Sequence, residues 1–250
     1  MSALKNVPLG VQLFVIENTI VNALGAWLAI LVSIVITSFF IPNMLRKGAV
    51  DLLLVKPIGR PTLLVFKYLG GLCFIFLNTA FAVGGMWLAM GWRSGIWTIG
   101  FLLTVLVITY FFAILYAVST LFAVLTRSTI VAILMTCFAW GFLFGLGETY
   151  EYLHEKSELK KIEQEKEREP YSEDWFTTGV RGLHYVLPRT RDLDYLTTQV
   201  LIRDLLTANQ IREQKLNTIP ISWGESVAVS AIYIVLLLGF SCWWFATRDY

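Results

Sequence analysis

The chain has 250 residues, of which 56% are hydrophobic and 15% are charged, and its mean hydropathy is +0.65. This composition excludes an ordinary soluble domain, and because the apolar residues lie in long runs it predicts an integral membrane protein. The net charge of +2 is too small, and the 20 cations are too dispersed, for a nucleic-acid-binding protein. The 3 cysteines each lie inside an apolar run, which predicts packing residues rather than disulfides.

Apolar runs predict five transmembrane helices with no signal peptide before them. In chain order they cover residues 20–41, 63–90, 96–125, 129–147 and 227–245. Residues 91–95 are expected to form a short turn after the second span, and residues 126–128 a tight connection after the third. The side chains of Trp87, Trp92 and Trp97 are typical of an aromatic belt at a membrane surface.

One large polar segment, residues 148–222, separates the last two spans. Its first part is dense in Glu and Lys up to residue 169, which predicts a solvated helix that continues the fourth span outward. Its second part, around Pro188, predicts amphipathic helices on the extracytoplasmic surface of the membrane, including one over residues 193–206. The predicted division is therefore residues 1–147 with four spans, an extracytoplasmic helical segment at 148–222, and 223–250 with the last span and a cytoplasmic tail.

Cations in the short loops predict the orientation of the chain. On one side of the membrane lie Arg46, Lys47, Lys56, Arg60, Arg127 and Arg248, and on the other lie Lys5 and Arg93. By the positive-inside tendency the first side is the cytoplasm, which places the large polar segment and the N-terminus outside. We therefore expect a multi-pass protein of the inner (cytoplasmic) cell membrane, in contact with membrane lipid.

The stretch between the first two spans, from Arg46 to Gly71, reads RKGAVDLLLVKPIGRPTLLVFKYLGG. Its apolar run at residues 50–55 is too short to cross a bilayer and is broken at Pro57, which predicts a short helix along the membrane surface. An ordinary basic loop has the same composition, and Lys67 taken alone is typical of an interface anchor. Composition leaves these interpretations open.

The order of residues in this stretch resembles the permeases, or membrane subunits, of ATP-binding-cassette (ABC) transporters of the type-2 exporter family. The matching residues are GAVDLLL at 48–54, KPIGR at 56–60 and KYLG at 67–70. The resemblance implies a cytoplasmic coupling segment at residues 42–62, a separate ATPase subunit that binds ATP, and a second permease subunit in a homodimer. The ATPase-coupling residues are then Lys47, Gly48, Asp51, Leu52, Leu53, Lys56, Pro57, Arg60 and Lys67.

Two features depart from the family pattern. Members have six spans with both termini in the cytoplasm, so we expect the equivalent of their first span to be missing here. Members also often carry a glutamate shortly before the glycine, whereas Asn43, Met44 and Leu45 occupy that region in this chain.

Catalytic patterns are missing from the sequence. It has no phosphate-binding glycine loop, no metal-ligand spacing at His154 or His184, and no carboxylate pair within a span. We therefore expect no enzyme activity, cofactor or metal in this chain, and predict the membrane-spanning permease subunit of an ABC exporter. The alternative is a non-transporting membrane anchor or assembly factor that acts through its extracytoplasmic segment. A channel or secondary carrier is disfavoured because the predicted spans hold almost no charge.

Overall fold

The computed structural model describes residues 11–12, 15, 25–44, 59–167, 175–188, 198, 202 and 223–247. Apart from short connections these residues are helical, and no strand occurs among them, which confirms the all-α fold. The helices are α1 (Gly25–Thr37), α2 (Phe40–Met44), α3 (Arg60–Ser94), α4 (Ile99–Thr126), α5 (Thr129–Glu167), α6 (Trp175–Val186) and α7 (Trp223–Thr247).

Four of the described helices, α3, α4, α5 and α7, are long and apolar enough to cross a membrane. They correspond to the second to fifth predicted spans. The first predicted span, residues 20–41, overlaps α1 and α2, which are shorter, and residues 20–24 lie outside the described part of the chain. A total of five spans therefore remains a prediction.

The connections of α4 to its neighbours are short, and each begins with a left-handed residue that ends the preceding helix. Gly95 ends α3 with φ 72°, and its N–H donates to the Gly91 carbonyl at 2.9 Å. The turn predicted for residues 91–95 is therefore wrong except at Gly95: the residues before it continue α3, because Trp, Arg and Ser side chains fit a helix and Gly alone takes φ > 0 without strain. Arg127 ends α4 with φ 54°, which confirms the tight connection before α5.

Helix α4 is the centre of the bundle. In the most apolar 18 residues of each long helix, 67% are buried inside the protein in α4, against 11% in α3, 22% in α5 and 17% in α7. Helix α4 contacts α1, α2, α3, α5 and α7. The other long helices therefore keep most of their apolar surface for lipid, as expected when packing in a bilayer is not driven by water.

Helix α5 continues well beyond its apolar part. It has 39 residues, and at ~1.5 Å per residue it is about twice as long as the hydrocarbon core is thick. The helical extension predicted after residue 147 is thus confirmed to Glu167. Helix α6 contacts α5 and buries Val180, which confirms a helix ahead of Pro188. The predicted helix at 193–206 lies outside the described residues except for 198 and 202, and the domain boundaries remain predictions.

Candidate functional site

Residues from five helices form one buried cluster. Two of these helices, α2 and α3, are the ones that residues 45–58 connect. This cluster, called the basal cluster here, consists of Ile41 and Met44 of α2, Leu64 of α3, Ala123 and Val124 of α4, Ala132 of α5 and Phe245 of α7. Leu64, Ala123 and Ala132 have no exposed surface at all. The part of the bundle around this cluster, the basal end, adjoins the predicted coupling segment.

Two of the nine predicted coupling residues lie in the described part of the chain. Arg60 is the first residue of α3, with Gly59 as the N-cap and a proline in the first turn, a favoured position for proline. Lys67 is exposed and lies seven residues further along α3, two helical turns away on the same face. The other seven lie outside the described residues: Lys47, Gly48, Asp51, Leu52, Leu53, Lys56 and Pro57.

The described residues of the basal end carry only positive charge. Arg60, Lys67 and Arg127 lie there, whereas every Asp or Glu in the described ranges is either in α5 beyond residue 147 or is Glu225, at the start of α7. Since Leu64 and Val124 belong to one cluster, Arg60 and Arg127 lie at the same end, and Arg93 lies at the other end of α3. This asymmetry is typical of the cytoplasmic end of a membrane protein.

A groove of about 660 Å³ runs between α2 and α3 at the basal end. It is lined by Phe40, Asn43, Met44, Leu63, Phe66, Lys67, Gly70 and Gly71. We call it the α2–α3 groove. The side chains of Asn43 and Lys67 are its polar groups, and both are exposed.

Behind the groove, α3 and α4 touch through two tyrosines and a glycine. The rings of Tyr68 and Tyr116 stack with centroids 5.1 Å apart, and the Tyr68 hydroxyl donates to the Ala113 carbonyl at 2.8 Å. A Cβ placed on Gly71 would lie 2.7 Å from the Tyr116 hydroxyl oxygen. Only glycine permits this approach, so Gly71 holds the two helices close together.

Several hydroxyl groups are buried along α4. The Tyr116 hydroxyl makes no hydrogen bond to the described residues, and the same holds for Thr104 and Thr120 on α4. Leaving a buried polar group without a partner costs about 1–3 kcal/mol. Helix α4 therefore carries buried hydroxyl groups that no described residue compensates.

Sequence reasoning missed the basal cluster and the contact of Gly71 with Tyr116. Hydropathy could not reveal them, because lipid-facing and protein-facing side chains are equally apolar in a membrane. The available signal was weak: a glycine inside one span and a tyrosine inside the next, residue types that are typical of close helix contacts and of buried hydrogen bonds.

Comparison with known proteins adds independent support. A protein-family model described as "ABC-2 family transporter protein" matches residues 9–250. No curated protein and no solved structure was found to match the chain. The family match confirms the resemblance carried by residues 48–70, and together with four helices able to cross a membrane it makes this chain a multi-pass membrane component of a transporter. The chain belongs to the ABC-2 family of transporter proteins.

Proposed function

We propose that this chain is the permease subunit of an ABC exporter, which couples ATP hydrolysis by a separate cytoplasmic ATPase to movement of a substrate across the membrane. Membership of the ABC-2 family supports a transport role. The observation that carries the coupling step is the basal cluster, because it contains Met44, near the start of the predicted coupling segment, and Leu64, just after its end.

The chain leaves the basal cluster at Met44 and returns to it at Leu64. A force on the residues between them therefore acts on α2 and α3 together. Through Ala123, Ala132 and Phe245 the same cluster contacts α4, α5 and α7. Because packed interiors are close to crystalline density and deform little, a displacement there moves helices as units rather than being absorbed locally.

In the proposed mechanism residues 46–60 bind a groove of the ATPase as a helix. Leu52 and Leu53 supply apolar contact, while Lys47, Asp51 and Lys56 belong to the polar rim together with Arg60. ATP-driven closure of two ATPase subunits shifts a pair of permease subunits between inward-closed and outward-open packings. Such coupling requires that the ATPase bind the two packings with different free energies.

The test is purification of the tagged chain from its native membrane in mild detergent, with identification of co-purifying subunits and an assay of ATP hydrolysis. We expect a stoichiometric ATPase with the wild-type chain and its loss with Leu53→Asp, since charging an interface anchor weakens binding by at least about 30-fold. The matched control is Leu183→Asp, the same substitution at an exposed position of α6, which leaves the complex intact. An ATPase that stays bound to the Leu53→Asp variant contradicts the proposed docking.

One observation favours the alternative function, a membrane anchor that acts through its outer segment. Helix α5 continues from its apolar segment Thr129–Tyr150 to Glu167 and packs against α6, so the bundle carries a helical projection beyond the membrane. Scrambling residues 48–58 separates the two functions. The scrambled chain remains active as an anchor but loses all activity as a permease.

A further inference from the structure

We infer that the α2–α3 groove binds an anionic phospholipid of the membrane leaflet at the basal end, with the lipid phosphate at Lys67 and an acyl chain along the groove. This inference does not depend on the proposed ATPase docking. It rests on the position of Lys67 along α3, on the residues that line the groove, and on the charges of the described residues around it.

The distance along α3 between Lys67 and Trp92 places Lys67 at the level of the lipid headgroups. From Lys67 to Trp92 there are 25 residues of continuous helix, about 37 Å along the axis. A bilayer is about 40–45 Å thick including headgroups, and exposed tryptophans such as Trp92 typically lie at its interface. With Trp92 at one interface, Lys67 lies at the opposite one, and its flexible stem lets the ammonium reach the phosphates.

The lining of the groove suits a lipid chain. Phe40, Met44, Leu63 and Phe66 form apolar walls beside Lys67. Gly70 lies on the groove, and a Cβ placed there would meet nothing within 4 Å. The missing side chain therefore leaves open space on the membrane-facing side of α3, next to the cation.

Charge selects an anionic lipid over a neutral one. The described residues of the basal end include no acid, and Lys67 makes no ion pair with any residue that the structure describes. A zwitterionic lipid fills the groove equally well but carries its own cation, so it leaves the ammonium less well compensated. A basic residue near an anionic lipid surface gains enough to favour that lipid about fivefold.

The experiment uses the purified full-length chain in detergent and native mass spectrometry. Palmitoyl-oleoyl phosphatidylglycerol and the phosphatidylcholine with the same chains are added in equal amounts, and the bound fractions are compared. We expect about fivefold more phosphatidylglycerol on the wild-type chain and on Lys67→Arg, and a ratio near one for Lys67→Gln. Arg93→Gln, which removes a cation at the other end of the same helix, leaves the preference unchanged.

A second pair of variants tests the groove rather than the charge. Gly70→Leu fills the open space and is expected to lower retention of both lipids at least about fivefold, because each buried CH₂ contributes roughly 0.8 kcal/mol. Gly85→Leu is the matched control, since Gly85 is also exposed on α3 and a Cβ there also meets nothing within 4 Å. A single symmetric peak in size-exclusion chromatography verifies that each variant is folded.

Three results overturn the inference. The first is a phosphatidylglycerol preference that survives Lys67→Gln. The second is a Gly70→Leu variant that changes the number of chains in the complex but not lipid retention, which makes the groove a contact between copies. The third is a wild-type chain that shows no preference for phosphatidylglycerol, together with an Asp51→Asn variant that does show one. In that case Asp51, rather than a lipid phosphate, is the partner of Lys67.

Discussion

Towards each of its two ends, α3 has a glycine that packs closely against an aromatic ring later in the chain. The two contacts differ in the sequence separation of their partners. At the basal end a Cβ on Gly71 would lie 2.7 Å from Tyr116, and at the other end a Cβ on Gly91 would lie 2.6 Å from Trp97. Each contact is accompanied by a side-chain hydrogen bond to a carbonyl. At the basal end it joins residues 45 positions apart, and at the other end residues only 11 apart.

This difference shows which contacts hold the bundle together. The connection after Gly95 keeps the ends of α3 and α4 close whatever their side chains do, so Trp97 refines a contact that chain connectivity already imposes. At the basal end no short connection joins these two helices, so side-chain contacts such as that of Gly71 with Tyr116 hold them together. A rearrangement of α3 against α4 therefore alters contacts mainly at the basal end, beside the proposed coupling segment.

The largest effect is expected for the glycine at the basal end. Gly71→Ala forces the fully buried Tyr116 ring to move and should lower the free energy of unfolding by about 1–3 kcal/mol. Gly91→Ala should cost clearly less, because Trp97 is 49% exposed and can swing outward. Thermal unfolding in detergent measures both, with Gly85→Ala as a control whose added methyl meets nothing. An equal loss in the two variants contradicts the comparison.

The stacked tyrosines should respond in opposite directions. Tyr68→Phe removes the hydrogen bond to Ala113 and is expected to destabilise by about 0.6–1.7 kcal/mol. Tyr116→Phe removes a buried hydroxyl without a partner among the described residues, so stability should be unchanged or higher. Both substitutions keep the ring stack, so unfolding measurements isolate the hydroxyl groups. Destabilisation by Tyr116→Phe shows instead that this hydroxyl has a partner.

The long helices could be predicted from the sequence because the signal for a transmembrane helix lies within the helix itself. Runs of about 20 apolar residues must satisfy their backbone within one helix in lipid, and this places α3, α4, α5 and α7. The polar tripeptide at 126–128 between two such runs predicts the tight connection after α4, and Arg127 there takes a left-handed conformation. The turn predicted at 91–95 is misplaced because Gly91 continues α3, where its missing side chain leaves room for the Trp97 ring.

The arrangement of the helices was beyond the sequence for a physical reason. Helix α4 is central although its side chains are as apolar as those of the lipid-facing helices: the mean hydropathy of its most apolar 18 residues is 2.5, the highest of the four. Contact with protein and contact with lipid select the same residue types. For the candidate site, the resemblance predicts Arg60 and Lys67 as coupling residues, but the basal cluster that joins α3 to four other helices depends on contacts distant in sequence.

A smaller effect is expected where connectivity already holds the chain. Trp87→Phe removes the hydrogen bond from the indole N–H to the Thr98 carbonyl, which is 2.9 Å long. We expect a loss of about 0.5 kcal/mol in unfolding free energy, less than for Tyr68→Phe, because the turn remains closed. Trp92→Phe is the control, since the Trp92 side chain is 89% exposed and should contribute almost nothing. If Trp87→Phe lowers the unfolding free energy as much as Tyr68→Phe does, the two ends of α3 are equivalent and the comparison is contradicted.

A similarly small effect is expected at the break between α1 and α2, which a hydroxyl pair attaches to α4. The Ser38 hydroxyl donates its one proton to the Ile34 carbonyl at 2.6 Å, so in its 3.1 Å contact with Ser119 it acts as the acceptor. Removing it by Ser38→Ala should cost only about 0.6 kcal/mol, because the Ser119 hydroxyl can rotate and donate to a carbonyl of its own helix. Ser119→Ala should cost no more than this, and in a double-mutant cycle the paired variant should be about as stable as Ser38→Ala alone. Fully additive losses show that the two hydroxyls act separately and that α1 and α2 are held to α4 by apolar packing.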